Sequence, residues 1–407
     1  MRILVLNQYF YPDRSATSQL LTELCEDLAE RHEVFVVTGR PSYNAAHGTG
    51  SRGLLSREYH GKVRVARVWS TAFDRSAGMT GRLTNYGTFL ASSIAGAFAV
   101  ARPDVVVALT DPPPVGLVGA MTAKVRGVPF VLVVKDMFPE VAVTLGALRS
   151  PAAIAGLRAA RGLLLDTADR VISIGRDMDR RLLGLGVPAD RVETIHDWSD
   201  GRVVHPLDRP SPLRDRYGWQ DRFVVMHSGN VGLSQGLETV VEAANLLRDE
   251  PDVIFAIVGD GASKASLQRA VRERELHNVE FLPFQDREDL TESLGAADVH
   301  LVGLRRGLAG AIVPSKVYGI LAAGKPILAA VEAEAEPALI AAEAGCGLRV
   351  EPGDAGALAD GVLAMREADL TTMGKRGREA LESRFDRSFA VDRYEQALRR
   401  VVADARR

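Results

Sequence analysis

Residues 223–244 read FVVMHSGNVGLSQGLETVVEAA, and the fold prediction starts from this stretch. An apolar run ends at Ser228, a loop with glycines at 229, 232 and 236 follows, and a helical pattern comes next. Parallel α/β sheets are built from apolar strands that lead through short loops into helices. The stretch therefore predicts one strand, one loop and one helix of a doubly wound sheet.

The same pattern recurs on both sides of this stretch. In the second half of the chain, further apolar runs predict strands at 253–259, 279–283, 298–304 and 326–331. In the first half, they predict strands at 3–6, 34–39, 63–68, 105–109, 130–134 and 170–174. Several runs are apolar throughout, as expected for parallel strands that helices cover on both faces.

The length of 407 residues is more than one hydrophobic core usually supports. A segment rich in Pro, Asp and Ser, HDWSDGRVVHPLDRPSP at 196–212, separates the two series of strands. We expect an α/β protein with two doubly wound Rossmann-like domains, 1–200 and 201–380, whose parallel sheets face each other across a cleft. The charged, helix-like segment 381–407 could cross back to the first domain.

Composition excludes several classes of protein. Hydrophobic residues make up 46% of the chain and charged residues 25%, a globular rather than a disordered composition. Because 50 Lys and Arg oppose 52 Asp and Glu, no strong positive field indicates a nucleic-acid partner. Cys25 and Cys346 form no disulfide or metal framework, and the first residues lack a signal-peptide pattern. We expect a cytoplasmic protein without a membrane span.

Two segments of the second half indicate an anion site. The glycines at 229 and 232 permit close approach of a ligand to the backbone. In AIVPSKVYGILAAGKPILAA, at 311–330, Ser315 and Lys316 stand where a helix begins. A cation in the first turn opposes the helix dipole unless an anion is also bound there. We predict that Lys316 and the glycine loop bind a diphosphate.

Two other motifs are assigned no ligand. The segment VGDGASKASL at 258–267 lacks the third glycine of a dinucleotide fingerprint, so we predict a structural turn there. The acidic pair in DMD at 177–179 lies in an arginine-flanked, helix-like stretch. We expect it on a solvated helix face rather than in a metal site.

Two loops of the first half are candidates for binding a second substrate. Ser15 and Ala16 precede a helix, where they could contact a ligand or only cap the helix. Lys135, Asp136 and Glu140 follow the strand at 130–134 and form either a salt-bridged rim or a site.

The motifs SGNVG, VGDG, FLPF, AADVHLVGL, VPSKVYGILAAGKPI and AGCGLRVEPGD occur in this order along the chain. Together they resemble family 4 of the glycosyltransferases, in particular the bacterial branch that builds surface polysaccharides. The resemblance covers nearly the whole sequence, and PSKxYxxxAAGKP is its most specific part.

The resemblance implies a GT-B fold, a retaining sugar transfer and no required metal or other cofactor. Lys316 would meet the charge that develops on the leaving nucleoside diphosphate. Phe284, in the FLPF segment, would lie against the base. The predicted donor-binding residues are Gly229, Asn230, Gly232, Gln235, Phe284, Ser315, Lys316 and Glu336. Asp136 would orient the acceptor, and the predicted acceptor-binding residues are Ser15, Ala16, Lys135 and Glu140.

The chain departs from the broad family at three places. Two glutamates of many members are replaced by Ala311 and Gly319, and their Arg or Lys pair by Asn230 and Gln235. A common His-Asp pair appears here as Lys135 and Asp136. Either Glu336 or Glu343 could supply the lost ribose contact, or both could lie on a solvated helix face.

The sequence thus favours a retaining hexosyl- or N-acetylhexosaminyl-transferase that uses a UDP-sugar and a polyprenyl-linked or glycoside acceptor. A sugar-nucleotide epimerase and a catalytically silent nucleotide-sugar-binding subunit stay open as alternatives. The tract at 82–116, between Arg82 and Gly116, could rest on the inner face of the plasma membrane or form a core helix.

Overall fold

The structure is a computed structural model that describes residues 1–13, 15–41, 53–71, 73 and 78–407. By their contacts, these residues form two compact units. Unit 1 consists of Met1–Glu140, Leu148–His196 and Val391–Arg407. Unit 2 consists of Val141–Ala147 and Asp197–Ala390.

Unit 1 contains an eight-stranded sheet in the order β3-β4-β2-β1-β5-β6-β7-β8. Its strands are β1 (Arg2–Leu6), β2 (Glu33–Thr38), β3 (Leu55–His60), β4 (Val63–Val68), β5 (Val105–Leu109), β6 (Phe130–Val134), β7 (Arg170–Ser173) and β8 (Val192–Thr194). Only the edge strand β3 pairs antiparallel among them. Every residue of β5 and β6 is buried, as their apolar sequences predict.

The helices that begin in unit 1 follow its strands along the chain. They are α1 (Ala16–Ala29), α2 (Gly78–Phe98), α3 (Val115–Arg126), α4 (Glu140–Thr144), α5 (Pro151–Thr167) and α6 (Arg176–Gly184). The side chains of residues 78–80, 82 and 83 lie outside what the structure describes.

Unit 2 contains a six-stranded sheet that is parallel throughout, in the order β11-β10-β9-β12-β13-β14. Its strands are β9 (Phe223–Ser228), β10 (Val253–Val258), β11 (Val279–Leu282), β12 (Val299–Gly303), β13 (Ile327–Ala330) and β14 (Gly347–Val350). Its helices are α7 (Pro212–Arg216), α8 (Glu238–Leu246), α9 (Lys264–Glu273), α10 (Leu290–Gly295), α11 (Lys316–Ala322), α12 (Glu336–Ala344), α13 (Ala355–Arg366) and α14 (Leu370–Ala380). A π-helical turn at Leu381–Phe385 leads into α15 (Arg387–Asp404).

The two predicted doubly wound sheets are confirmed. The structure adds three edge strands that the sequence reasoning missed, namely β3, β8 and β14. In each sheet the strand order reverses beside one central strand, β1 in unit 1 and β9 in unit 2. Ligands of such sheets bind beyond the carboxyl ends of the strands at this reversal. The residues that follow β1, β5, β9 and β12 are therefore the first place to look for a site.

The segment predicted as a linker packs onto unit 2. Arg378 donates hydrogen bonds to the carbonyl oxygens of Gly201 (2.9 Å), Val204 (3.0 Å) and Ala322 (2.8 Å). One guanidinium thereby joins the start of unit 2 to α11, the helix that carries Lys316.

The last part of α15 belongs to unit 1. Its Glu395 accepts a hydrogen bond from His32 at 3.1 Å, and Arg400 pairs with Glu193 at 2.8 Å. None of the helices in the described ranges is both long and apolar enough to cross a membrane.

A glycine in α14 allows close contact with the end of α11, and this contact is testable. A Cβ added at Gly374 would lie 2.0 Å from the Gly324 carbonyl oxygen, so we expect Gly374→Ala to lower the free energy of unfolding. The expected loss is about 2 kcal/mol, the scale of overpacking a tight core, measured by urea unfolding.

The matched control is Gly356→Ala in α13, where the nearest atom to the added Cβ would be Asp354 Oδ1 at 3.4 Å. Alanine is the better helix former by up to about 1 kcal/mol, so this variant should be neutral or slightly stabilised. Equal behaviour of the two variants would contradict the role given to Gly374.

Candidate functional site

The loops that follow β9 and β10 are in backbone contact. A Cβ added at Gly259 would lie 1.9 Å from the Gly229 carbonyl oxygen, and one added at Gly261 would lie 2.3 Å from that of Val231. Gly229 and Gly259 also have φ values of 124° and 132°, which side chains other than glycine disfavour. The predicted structural turn at 258–267 therefore supports the glycine loop after β9.

Lys316 reaches this loop from the start of α11. Its Nζ lies 3.2 Å from Nδ1 and 3.1 Å from Nε2 of His227, which is buried near the end of β9. A Cβ added at Gly229 would lie 3.7 Å from the same Nζ. The structure thus brings Lys316 and the glycine loop together, as the sequence predicted, and adds His227, which the sequence reasoning did not identify.

Burial lowers the pKa of both Lys316 and His227. It lowers the pKa of Lys316 to about 7. Burial, together with the neighbouring Lys316 and His300, lowers the pKa of His227 well below its ordinary value. At neutral pH the imidazole is therefore neutral, and Lys316 divides between ammonium and amine. An anion bound beside Lys316 would favour the ammonium.

Most amides of the glycine loop already have partners. Gly229 N donates to Val258 O at 2.9 Å, and Val231 N donates to Asp260 O at 2.9 Å. The side-chain oxygen of Gln235 accepts from Gly232 N at 3.0 Å. Between residues 229 and 232, the described hydrogen bonds engage every backbone amide except that of Asn230. The glycines of this loop therefore allow a ligand to approach the backbone closely, rather than donate hydrogen bonds to it.

The other predicted donor residues lie around this region in different environments. Ser315 immediately precedes α11, and its side chain makes no capping hydrogen bond. Phe284 follows β11 with 57% of its surface exposed. Glu336 is fully buried in the first turn of α12, whereas Glu343 is exposed and pairs with Arg384 at 3.3 Å. The expected solvated helix face is wrong for Glu336 and right for Glu343.

In unit 1, the strand ends at the reversal carry acidic and aromatic side chains. The Thr110 hydroxyl accepts from Lys135 N at 2.9 Å and Asp136 N at 3.4 Å, which ties the loops after β5 and β6 together. Asp136 is exposed and Lys135 half-buried.

Asp111, beside Thr110, was not identified from the sequence. Burial, with the charges of Asp136 and Asp13, raises the pKa of Asp111 to about 7, although Lys135 opposes the shift. Burial and the Asp111 charge also raise the pKa of Tyr9. A carboxyl that titrates near neutrality can exchange protons with a bound hydroxyl. Its position after an apolar strand, in VVVALTD, was the signal available.

The remaining acceptor candidates have structural partners. The Ser15 hydroxyl accepts from Ser18 N at 3.2 Å and so caps α1, which begins at Ala16. Glu140 pairs with Arg158 at 3.1 Å and also with Arg161, which is the salt-bridged rim foreseen as one alternative. Their part in acceptor binding stays a prediction.

The acidic pair of the DMD motif does not lie on a solvated face. Asp177 is buried, and Asp179 accepts hydrogen bonds from the hydroxyls of Ser173 and Thr194. These hydroxyl groups fix α6 against β7 and β8. Within the described ranges, no three His, Cys, Asp or Glu side chains form a group that could hold a metal ion.

The sequence matches two family models, one for each half. Residues 16–198 match the glycosyl transferase 4-like domain, and residues 212–380 match the glycosyl transferases group 1. The boundary between the matches falls in the segment that the sequence predicted as a linker.

Two curated bacterial proteins are similar over most of the chain. WcaI of Escherichia coli, named for glycosyl transfer in colanic acid biosynthesis, is 32% identical over 89% of this chain and 91% of its own length. WbjE of Pseudomonas aeruginosa, named a glycosyltransferase, is 31% identical over 75% of this chain and 76% of its own length.

Solved structures share the fold at low sequence identity. HepE of Anabaena, solved with UDP, is 18% identical with a TM-score of 0.74 over 98% of this chain and 99% of its own. Sucrose-phosphate synthase of Thermosynechococcus elongatus is 19% identical with a TM-score of 0.78 over 99% of this chain and 100% of its own. The chain thus belongs to the family 4 glycosyltransferases of GT-B fold.

Proposed function

We propose that the protein is a retaining transferase that moves a hexose or N-acetylhexosamine from a UDP-sugar to a lipid-linked or glycoside acceptor. The observation that carries the proposal is the position of Lys316 Nζ beside Gly229, at the strand reversal of unit 2. UDP is favoured as the carrier because HepE was solved with UDP and with UDP-glucose. Retention follows from the family resemblance of the PSK segment.

The chemistry requires that negative charge be stabilised on the leaving group. Breaking the anomeric bond leaves that charge on the nucleoside diphosphate, and Lys316 with the Asn230 amide can stabilise it. In a same-face displacement, the leaving phosphate accepts the proton of the acceptor hydroxyl. No carboxylate nucleophile is then required, which fits a chain with Ala311 and Gly319 at the positions of the family glutamates.

The acceptor belongs to unit 1 in this proposal. Asp136 orients its hydroxyl, and Asp111 supplies a second group that can exchange a proton near neutral pH. An apolar cavity of about 70 Å³ adjoins Asp136 and is lined by Leu117, Phe138 and Leu157, among others. Such a cavity favours an acceptor with an apolar part, as a polyprenyl-linked sugar has.

Incubation of the purified protein with a panel of nucleotide-sugars and polyprenyl-linked or simple glycoside acceptors tests the proposal. Transfer from a UDP-sugar, with the anomeric configuration of the product retained in its NMR spectrum, is the expected result. Free epimerised sugar would instead identify an epimerase, and binding without turnover would identify a silent subunit.

Replacement of Lys316 tests the donor site directly. We expect Lys316→Ala to lower the rate of transfer about a hundredfold, the scale of removing one group that stabilises developing charge. The measurement is steady-state kinetics with saturating acceptor. Lys375→Ala, on the exposed side of α14, is the control for loss of a positive charge and should transfer normally. Near-normal transfer by Lys316→Ala would remove the diphosphate assignment.

We also propose that unit 1 contacts an anionic membrane through the outer faces of α2 and α3. Phe89 of α2 is buried, whereas Ile94 and Phe98 on the same helix are 40% and 37% exposed. On α3, Met121 is 38% and Val125 66% exposed. The tract therefore has both a core face and an apolar outer face. The side chain of Arg82 lies outside the described residues.

Basic residues border this apolar surface. The Arg126 guanidinium lies over the Phe98 ring at 5.3 Å and donates to the Phe98 carbonyl at 3.0 Å, so α2 and α3 meet there. Lys124 and Arg102 are exposed nearby in the sequence. Apolar side chains bordered by cations are the pattern of proteins that lie on anionic bilayers.

Vesicle sedimentation tests this contact. Binding should require phosphatidylglycerol in phosphatidylcholine vesicles, and Lys124→Ser with Val125→Ser should weaken it about tenfold, since each cation near the surface contributes about 1 kcal/mol. Leu246→Ser in unit 2, a residue 58% exposed, is the control for loss of an exposed apolar side chain. Equal binding to vesicles with and without the anionic lipid would contradict the proposal.

A further inference from the structure

The contact between Lys316 and His227 has an unusual geometry. Nζ of Lys316 lies at nearly equal distances, 3.1 and 3.2 Å, from the two ring nitrogens of His227. Those nitrogens flank Cε1, so an amine in the plane of the ring that reached both would collide with that carbon. The amine therefore lies over the face of the imidazole, rather than on a lone pair at its edge.

A second contact of His227 fixes the ring. Nε2 lies 3.2 Å from the carbonyl oxygen of Asn230, and because a carbonyl can only accept, Nε2 carries the hydrogen. The ring is only 1% exposed. His227 thus joins the strand β9 to the glycine loop on its edge and supports Lys316 on its face.

The charge state of the surrounding groups suits this arrangement. His227 is neutral because burial, the nearby Lys316 and His300 lower its pKa, and a neutral ring face attracts an ammonium where an imidazolium would repel it. His300, on β12, donates from Nε2 to Leu294 O (2.9 Å), and burial with the charges of Lys325 and Lys316 lowers its pKa to about 4. Burial also lowers the pKa of Lys325, which follows α11. The pKa of Lys316 lies near neutrality.

We propose that His227 is a positioning residue for the donor site, whose neutral ring supports the Lys316 side chain beside Gly229, where the ammonium meets the nucleoside diphosphate. This inference rests on the proposed role of Lys316 in donor binding. Without the ring, the flexible four-carbon stem of the lysine can turn its amine towards water, and the amine no longer has one fixed position.

Four variants of the full chain distinguish the effect of the His227 ring face on UDP binding from the effect of its edge. Calorimetric titration with UDP should show affinity about tenfold lower for His227→Ala, the scale of one cation over a ring in a partly desolvated site. His227→Phe keeps a ring face and should bind within about threefold of the unaltered protein. His227→Gln keeps a donor for Asn230 without a ring, and should resemble His227→Ala. The exposed His277→Ala is the control and should bind UDP normally.

Proton uptake gives a readout that a merely structural role would not change. At about pH 8.5 the terminal phosphate of UDP is already ionised, because its pKa is near 6. Lys316 of the free protein is then mostly an amine, so binding should take up close to one proton, measured in buffers of different ionisation enthalpy. Lys316→Arg should take up none. His227→Ala should take up less, because an amine in water is already protonated.

The outcomes separate this inference from the proposed function. If Lys316→Met binds UDP as tightly as the unaltered protein does, the proposed donor site is wrong. If Lys316→Met weakens binding while His227→Ala binds normally and still takes up a proton, only the role of His227 is overturned. Equal binding by His227→Gln and His227→Phe would also overturn it, and this comparison stands even if His227→Ala fails to fold in a melting experiment. Failure of the unaltered protein to bind UDP would overturn both.

Discussion

The proposed donor site depends on a backbone contact between the loops that follow β9 and β10. Gly259 and Gly261 approach the carbonyls of Gly229 and Val231 so closely that any Cβ would overlap them. This contact holds the loop that includes Asn230, whose carbonyl fixes the His227 ring, and Lys316 lies over that ring. Because Gly259 and Gly261 have no side chains, the two loops can touch, and this contact determines where the Lys316 amine lies.

The fold could be predicted because parallel strands in the core of a sheet are apolar on both faces. Runs such as VVVAL in β5 and VIFAIV in β10 are buried at every residue and are recognisable without further context. The strands that escaped prediction lack this property. β3 alternates exposed and half-buried residues, β8 has three half-buried residues, and β14 is half-buried or exposed throughout. These edge strands are defined by hydrogen bonds to a neighbouring strand rather than by burial. Such hydrogen bonds leave no pattern in the local sequence.

Contacts in the candidate site were predicted where local sequence determines local geometry, and missed where distant segments meet. A lysine at a helix start opposite a glycine loop has a recognisable pattern, and the structure places Lys316 beside Gly229. His227 precedes that loop in an apolar run, and its importance is visible only when α11, 89 residues further on, reaches it. Asp111 is similar, since its raised pKa comes from burial and from Asp136 and Asp13 in the loops that follow β6 and β1. The hydrophobic periodicity of the sequence does not predict contacts between such distant segments.

The electrostatics of unit 2 affect how Lys316 would bind an anion. A carboxylate beside Lys316 would hold the lysine charged in the empty site and would compete with a phosphate for it. The described contacts of the Lys316 amine are with His227 and include no carboxylate. Burial therefore lowers the pKa of Lys316, and the neutral ring of His227 does not oppose a later charge. Lys316 then becomes positively charged when an anion binds, so part of the free energy of anion binding is used to protonate its amine. If Lys316 binds a nucleoside diphosphate as proposed, the site discriminates against neutral ligands, and its affinity for the diphosphate falls as the pH rises above about 7.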